Sequence, residues 1–255
     1  MIESSRLDRD EPVRVLEADP GLGQALDREA WTEAARVSTR SFRQSPGEWQ
    51  VPEPEDAAGV LGLLVLEGLL VRWVSVGGVR CCEILGTGDV LRPWTYRREH
   101  WAASIPAEAE LRVSAPVRIA VLDRRFALST ARWPEIQAAL LDRAVTRARR
   151  AAFHVSVCSI VQLDLRLLVA LWHLADRWGR MTREGVHLPL RLNHDLLAGV
   201  VGARRASVTV ALGRLRRAGT VLRRPDETWL LVGRPPDELD HLQRASPLDH
   251  VLAPA

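Results

Sequence analysis

The most regular pattern of apolar and polar residues lies toward the C-terminal end of the chain, between residues 193 and 217. In its second half, four apolar residues recur at steps of three and four, the spacing that places side chains on one face of a helix. These residues are Val208, Ala211, Leu212 and Leu215. The pattern predicts two helices, residues 193–200 and 204–217, with Asn193 as the cap of the first and a tight turn at Gly202 between them.

A helix-turn-helix also restricts residue size around its turn, and this segment meets the restrictions. Ala198, four residues before the turn glycine, is small where the two helices must cross. Val208, six residues after it, is a β-branched core residue, and Leu197 and Val201 supply the other buried positions of the first helix. The segment is therefore predicted to be a helix-turn-helix. Its second helix leaves the following side chains on its outer face: Arg205, Ala206, Thr209, Val210 and Arg217.

The neighbouring segments extend this helix pair into a larger domain. A helix over residues 163–178 is closed by Gly179, and residues 186–190 are extended. Residues 221–232 form a hairpin around Pro225-Asp226, which predicts a wing, and a short helix follows over residues 237–242.

The pattern changes to that of β-structure between residues 60 and 122. Strands are predicted on both sides of Gly68, which lies at a turn or a bulge, and Gly77-Gly78 form a hairpin turn. A further strand ends in the glycine-rich turn 86–88, and two short strands, 111–113 and 117–122, are separated by Ala115-Pro116. Short strands divided by Gly and Pro predict a compact β-sandwich or β-roll.

Two helical segments flank these strands. Residues 25–39 have a weak amphipathic pattern, and Pro134 begins a long helix that runs to about residue 157. The Leu, Ala and Val stripe of the long helix is compatible with packing against a second copy of the chain or against its own β-domain. We favour the homodimer.

Together the elements predict an α+β chain with five segments. They are an N-terminal helical or irregular segment (1–54), a β-roll (55–130), a dimerisation helix (131–158), a winged helix-turn-helix domain (159–242) and a tail (243–255).

Charge adds a partner to this picture. Residues 1–60 hold 13 acidic residues against 7 Arg, a balance of −6, whereas residues 190–224 hold 8 Arg against one Asp, a balance of +7. A basic block that coincides with a helix-turn-helix indicates binding to the phosphates of double-stranded DNA.

Other chemistry is not indicated. The three cysteines, Cys81, Cys82 and Cys158, lack metal-binding spacing and are expected to be reduced, with the adjacent pair on opposite faces of a strand. The chain has none of the common hydrolase, metalloprotease, P-loop or dinucleotide-binding motifs, and Glu108 and Glu110 lie in a predicted loop. We therefore expect no enzyme, no cofactor and no metal. The N-terminus is acidic and polar, and no apolar run reaches membrane length, so a cytoplasmic protein without membrane contact is expected.

Residues 159–242 resemble the winged-helix domain of the Crp–Fnr family of bacterial transcription regulators. The family's turn glycine is followed by Arg-Glu-Thr-Val and then an Arg near the middle of the helix. That register reads Arg205-Ala206-Ser207-Val208 here, with Val210 at the later Arg position. A β-roll ending in GDVL and the long helix extend the resemblance to about residues 55–242. The strings RLLVALWHLADRWG and VHLPLRLNHDLLAGVVGARRASVTVALGRLRRAG are similar to an actinobacterial-type branch of the family.

The resemblance implies roles for individual residues. Arg205 matches a base-reading arginine suited to a guanine edge, and Ser207 matches a phosphate-contacting hydroxyl. Ala206 and Val210 replace a Glu and an Arg, so that with Thr209 they form an altered reading surface. The remaining candidate phosphate contacts are Arg204, Arg214, Arg217, Arg223 and Arg224.

The regulatory half departs from the family's cyclic-nucleotide binders. Their phosphate-binding Arg-Ser/Thr-Ala string is missing after Gly88-Asp89, so a degenerate cyclic-nucleotide-binding-like domain is expected. Trp94, Arg97 and Arg98 are candidates for an effector pocket, although the aromatic residues there also fit a purely structural seal. The resemblance implies RNA polymerase and a small-molecule effector of unknown identity as further partners.

The sequence thus predicts a dimeric, sequence-specific DNA-binding regulator of a pseudo-palindromic site. Two alternatives stay open. In one, the DNA-binding protein needs no ligand and its β-roll is structural or binds another protein. In the other, the β-roll is a sensor and the C-terminal domain binds a protein partner.

Overall fold

The computed structural model describes residues 8–51, 59–93 and 107–236, and the chain divides into two compact units, residues 1–153 and 154–255. The first unit contains an antiparallel sheet of seven strands in the order β1-β2-β7-β4-β5, with β3 paired to β7 and β6 to β4. The strands are β1 (Asp8–Arg14), β2 (Ser38–Gln44), β3 (Gly47–Glu48), β4 (Gly62–Val76), β5 (Val79–Gly86), β6 (Val90–Leu91) and β7 (Ala107–Leu122).

The pairing of the long strands β4 and β7 forms the centre of this sheet. The separate short strands 111–113 and 117–122 were a wrong prediction, because one continuous strand, β7, runs through Ala115 and Pro116. The pairing register shifts between Val65 and Leu70, and there Gly68 adopts a φ of 89° opposite Pro116. A bulge thus absorbs the proline that the sequence suggested would end the strand.

Glu108 and Glu110 also differ from expectation, because they lie in β7 and not in a loop. Glu110 pairs with Arg80 on the neighbouring part of the sheet at 3.2 Å. The hairpin turn at Gly77-Gly78 between β4 and β5 is confirmed. Cys81 is exposed and Cys82 is buried, as alternation along β5 predicts, and all three cysteines are free.

The N-terminal segment is not merely helical or irregular, since β1 and β2 belong to the sheet. The helix predicted over 25–39 is limited to Arg28–Ala34, and β2 begins at Ser38. Polar residues occupy inward positions of β2 because their hydroxyls are satisfied: Thr39 donates to Val121 O at 2.5 Å and Ser41 to Glu11 O at 3.0 Å. The pattern of apolar residues does not predict a strand whose inward positions are polar.

Four helices and one 3₁₀ turn accompany the described part of this sheet. They are α1 (Val15–Ala18), the 3₁₀ turn Pro20–Gly23, α2 (Arg28–Ala34), α3 (Arg124–Ser129) and α4 (Pro134–Cys158). Pro134 is the first residue of α4, as predicted. One cluster of buried apolar side chains packs on the inner face of the sheet. A second cluster joins the outer face of the sheet to the segment that holds α3 and α4, through Phe126, Trp133, Ile136 and Leu140.

Arginines on α4 also attach this helix to the sheet. Arg143 makes two hydrogen bonds to Asp19 and a third, at 2.9 Å, to Gly88 O. Further along the helix the pairs are Arg147 with Glu83, at 2.8 and 2.9 Å, and Arg150 with Asp89, at 3.0 Å. These charge-assisted bonds fix which side of α4 faces the sheet.

The described part of the second unit contains, after the end of α4, three helices and a small sheet of order β10-β11-β9-β8. Its elements are α5 (Leu163–Trp178), β8 (Arg180–Met181), β9 (Val186–Leu188), α6 (His194–Val201), α7 (Arg205–Arg217), β10 (Val221–Arg223) and β11 (Trp229–Leu231). The predicted helix 237–242 and the tail lie outside the described residues. Gly179 follows α5 as expected, but its φ is −68°, and it is required because a Cβ would lie 2.4 Å from Ala175 O.

No single helix in the described ranges is long and apolar enough to span a membrane. Only α6 and α7, taken together across their 99° bend, pass such a test of length and composition.

The bulge in the central strand pair gives a test of the fold. A Cβ at Gly68 would lie 2.0 Å from Pro116 O, and the φ of 89° is itself unfavourable for other residues. Gly68→Ala should therefore lower the free energy of unfolding by more than about 2 kcal/mol in urea denaturation, since backbone strain and a steric clash add.

Gly77→Ala is the matched control, because it also has a positive φ, 55°, but no atom lies within 4 Å of its Cβ position. It should cost only about 1 kcal/mol. Equal costs for the two substitutions would show that the close approach at Pro116 is not a constraint.

Candidate nucleic-acid interface

The second unit presents α7 through a sharp turn after α6. Asn193 caps α6, its Oδ1 accepting from Leu196 N at 2.9 Å, as predicted. At the other end, Gly202 adopts a left-handed conformation (φ 59°, ψ 42°), and its N–H donates to Ala198 O. The two helices meet at 99°, within the range typical of a helix-turn-helix.

The positions expected to be buried are buried. Val208 and Ala211 are 0 % exposed, and Ala198, where the helices cross, is 7 % exposed. The remaining predicted core residues of this pair, Leu197, Val201, Leu212 and Leu215, are buried as well. The apolar stripe of α7 therefore faces the domain core, and its opposite side faces solvent.

The outer face of α7 carries most of the predicted interface residues. All of the following are exposed: Arg204, Arg205, Ala206, Ser207, Thr209, Val210 and Arg217. Val210 is 56 % exposed, so its apolar side chain is accessible on this face. Arg205 lies 3.5 Å from Asp195, and both side chains are well exposed.

Thr209 is engaged within the domain. Its hydroxyl donates to Arg205 O at 3.1 Å, and His194 Nδ1 lies 2.8 Å from Thr209 Oγ1. The sequence prediction overlooked His194. The signal was available, since it is a histidine directly after the cap residue of the first helix of the pair.

The wing is formed by β10 and β11, as predicted, and holds two further basic residues. Arg223 pairs with Glu227 at 3.0 Å and Arg224 with Glu184 at 3.4 Å, all four side chains being exposed. Asp226 shapes the wing turn: hydrogen bonds from the side chain and backbone of Thr228 lower the pKa of its carboxyl.

Arg214, another predicted phosphate contact, has a partner inside the domain. Its guanidinium binds both oxygens of Asp164 on α5 at 2.6 Å. This hydrogen bonding to the carboxylate raises the pKa of Arg214. The pair links α7 to the start of α5 and so positions α7.

The candidate effector residues Trp94, Arg97 and Arg98 lie outside the described residues. The preceding turn is described: Asp89 is 3 % exposed and accepts from Gly86 N at 2.8 Å and from Arg150.

Comparisons with known proteins agree with this geometry. Residues 165–234 match the family model of the Crp-like helix-turn-helix domain. A search of curated protein sequences finds no match. Among solved structures, a double mutant of CooA from Carboxydothermus hydrogenoformans has 20 % sequence identity and a TM-score of 0.59, covering 94 % of this chain and 98 % of its own.

Two further structures have the same fold. A CRP/FNR-family transcriptional regulator from Thermus thermophilus is 19 % identical, with a TM-score of 0.54 over 80 % of this chain and 96 % of its own. A cyclic nucleotide-binding domain containing protein from Listeria monocytogenes is 15 % identical, with a TM-score of 0.59 over 74 % and 87 %.

The chain therefore combines an antiparallel β-domain with a Crp-like helix-turn-helix domain, and the predicted fold class is confirmed. At these identities the structural likeness establishes the fold.

The turn between α6 and α7 yields a second test. Gly202→Ala places a Cβ at an ordinary contact distance, 3.6 Å from Cys158 Sγ. Its cost is therefore that of the left-handed backbone, about 1–2 kcal/mol of unfolding free energy. Gly213→Ala, at an exposed position inside α7 with no atom within 4 Å, should instead stabilise the protein by about 0.5–1 kcal/mol. Thermal and urea unfolding measure both, and a neutral Gly202→Ala would contradict the assigned turn conformation.

Proposed function

We propose that this chain is a homodimeric transcription regulator that binds double-stranded DNA sequence-specifically through α7. The observation that carries the proposal is the exposed face of α7: it is basic, it stands clear of the domain core, and it belongs to a Crp-like helix-turn-helix domain. A helix presented in this way fits the major groove of B-DNA. The amino-acid strings over residues 166–179 and 186–219 further favour the actinobacterial-type branch of the Crp–Fnr family.

Base reading depends mainly on Arg205. Its guanidinium is exposed and its partner Asp195, at 3.5 Å, is equally accessible, so the pair is weak and a guanine edge can replace it. Ala206 and Val210 offer only apolar contact, which suits a thymine methyl group. Thr209 reads a base only if its hydroxyl gives up the bonds it makes within the domain.

Phosphate binding falls to the residues that border this face. Arg204, Ser207 and Arg217 lie on or next to α7, and Arg223 and Arg224 extend the basic surface along the wing. The carboxylates beside the wing arginines are exposed and compete only weakly with phosphate. Arg214 contributes to this set only by breaking its double hydrogen bond to Asp164, so we assign it mainly to positioning.

Dimerisation is proposed along α4. Its residues on one side are turned to the sheet, while Leu141 (64 % exposed), Val145 (39 %) and the alanines at 144, 148, 151 and 152 leave an apolar strip in solvent. Small residues allow a second helix to approach closely, and a two-fold dimer would place two recognition helices about 34 Å apart on a pseudo-palindrome.

The effector is proposed to be something other than a cyclic nucleotide, with RNA polymerase as a further partner. A specific observation also favours the ligand-independent alternative: Arg143 and Arg150 join α4 to the turn 86–90 through contacts of the protein itself. Thermal-shift screening in which no metabolite stabilises the protein would support that alternative.

Recovery of bound duplexes from a random library tests DNA binding directly. The consensus should be two-fold symmetric. On that duplex, Arg205→Ala should cost about 1–3 kcal/mol and relax discrimination at one base pair of each half-site. Arg224→Ala should weaken binding to all duplexes alike and reduce the salt slope by about 1. If Arg205→Ala behaved like Arg224→Ala, Arg205 would be a phosphate contact. Absence of any selective, salt-sensitive binding would favour the protein-partner alternative.

The dimer interface is tested by placing a charge on the apolar strip. Leu141→Glu should give a monomer in sedimentation equilibrium, because two carboxylates would face each other across the interface. Leu128→Glu is the control, since Leu128 on α3 is 66 % exposed but lies off α4. A Leu141→Glu protein that remained dimeric would place the interface elsewhere.

A further inference from the structure

His194 lies where three elements of the helix-turn-helix domain come together. It is the first residue of α6, and its Nδ1 contacts Thr209 on α7 at 2.8 Å. The charged groups that act on it are Arg223 on β10, Arg205 on α7 and Asp195 on α6 itself. The imidazole is half-buried and borders the same basic surface that we assign to DNA.

The hydrogen bonds around Thr209 determine which ring nitrogen of His194 carries its proton. The Thr209 hydroxyl has one proton and donates it to Arg205 O at 3.1 Å. With this proton donated to Arg205 O, the Thr209 oxygen accepts at the contact with His194, which assigns the proton of the neutral ring to Nδ1. Nε2 then carries a lone pair, and it makes no hydrogen bond within the described part of the chain.

The surroundings keep the ring neutral in the free protein. Burial lowers the pKa of His194 from 6.5, and the positive charges of Arg223 and Arg205 lower it further, while Asp195 opposes them. At neutral pH the ring is therefore uncharged, and its Nε2 is a hydrogen-bond acceptor.

We propose that His194 is a DNA phosphate contact whose imidazole takes up a proton when DNA binds. The inference rests on the proposed DNA-binding function of α7. A phosphate oxygen is an acceptor and repels the Nε2 lone pair, whereas the imidazolium offers an Nε2–H donor. The phosphate also offsets the charges of Arg223 and Arg205, which are two of the causes that lower the pKa of His194.

The sign of the pH dependence follows from this linkage. His194 gains affinity for its proton in the complex, so between its free and bound pKa values one proton is taken up for each site that binds. DNA affinity therefore rises as pH falls, by up to about tenfold per pH unit for each subunit in contact.

The test measures affinity of the full-length protein for a fluorescent duplex of about 30 bp selected by the wild type from a random library. Anisotropy is recorded between about pH 5.5 and 8 at constant ionic strength, because salt changes binding independently. We expect the pH slope to be lost in His194→Gln. His187→Gln should keep it, and it is a matched control because the His187 ring also bonds a threonine hydroxyl, Thr228 Oγ1, at 2.9 Å.

Thr209→Val separates proton linkage from a merely structural contact. The substitution removes the acceptor that fixes the proton on Nδ1, so the neutral ring can carry its proton on Nε2 and bind phosphate without ionising. Binding at high pH should then tighten relative to binding at low pH, and the slope should flatten. A structural contact predicts equal weakening at every pH.

Calorimetry in two buffers of different ionisation enthalpy counts the protons directly. About one proton per bound subunit is expected for the wild type and about none for His194→Gln. Equal pH slopes and proton counts in these two proteins, with DNA binding intact, would overturn the role of His194 alone. Failure of the wild type to bind any duplex at any pH would overturn the DNA-binding function and this inference with it.

Discussion

The presentation of the recognition helix depends on how helix α6 ends. The last carbonyls of a helix lack partners within the helix, and burying them unpaired is costly. Here Val200 O accepts from His154 Nε2, and Val201 O accepts from Arg166 Nη1 at 3.1 Å. With these groups satisfied, the left-handed Gly202 can reverse the chain within a few residues. The direction of α7 is therefore fixed by hydrogen bonds and one backbone conformation, and the core below it is free to consist of small and branched apolar residues.

Helix α4 has one side that is bound to the sheet and another side that is exposed to solvent. Its sheet side uses arginines paired with Asp19, Glu83 and Asp89 in addition to apolar contacts. Ion pairs of this kind add less to stability than their number suggests, but their geometry is specific. They define the rotation of the helix about its axis, and the apolar strip through Leu141 is left in solvent as a result.

Local patterns made the helix-turn-helix predictable, whereas the β-domain depended on distant partners. Gly202, Ala198 and Val208 lie within ten residues of one another in the sequence, so their spacing alone identifies the motif. Strand β2 escaped because Thr39 and Ser41 face inward and are satisfied by the backbone of other strands, which no periodicity reveals. Pro116 suggested a break for the same reason, since the bulge opposite Gly68 that accommodates it lies in another strand. The position of His194 directly after the cap residue is a local signal, but its proposed role depends on a hydroxyl fifteen residues further on and on the wing.

Three arginines on the basic surface of this domain have carboxylate neighbours within the chain. Asp195, Glu184 and Glu227 lie within 3.5 Å of arginines that we assign to DNA, and all three are exposed. In the free protein they occupy the place that solution anions would otherwise take. In the proposed complex, DNA phosphates would displace these carboxylates from the arginines, and the cations condensed on the DNA would still be released. These acidic neighbours would oppose non-specific DNA binding, because each arginine would exchange one anionic partner for another. In the proposed complex, selectivity rests on Arg205, on the apolar patch of Ala206 and Val210 on α7, and on His194 at the start of α6.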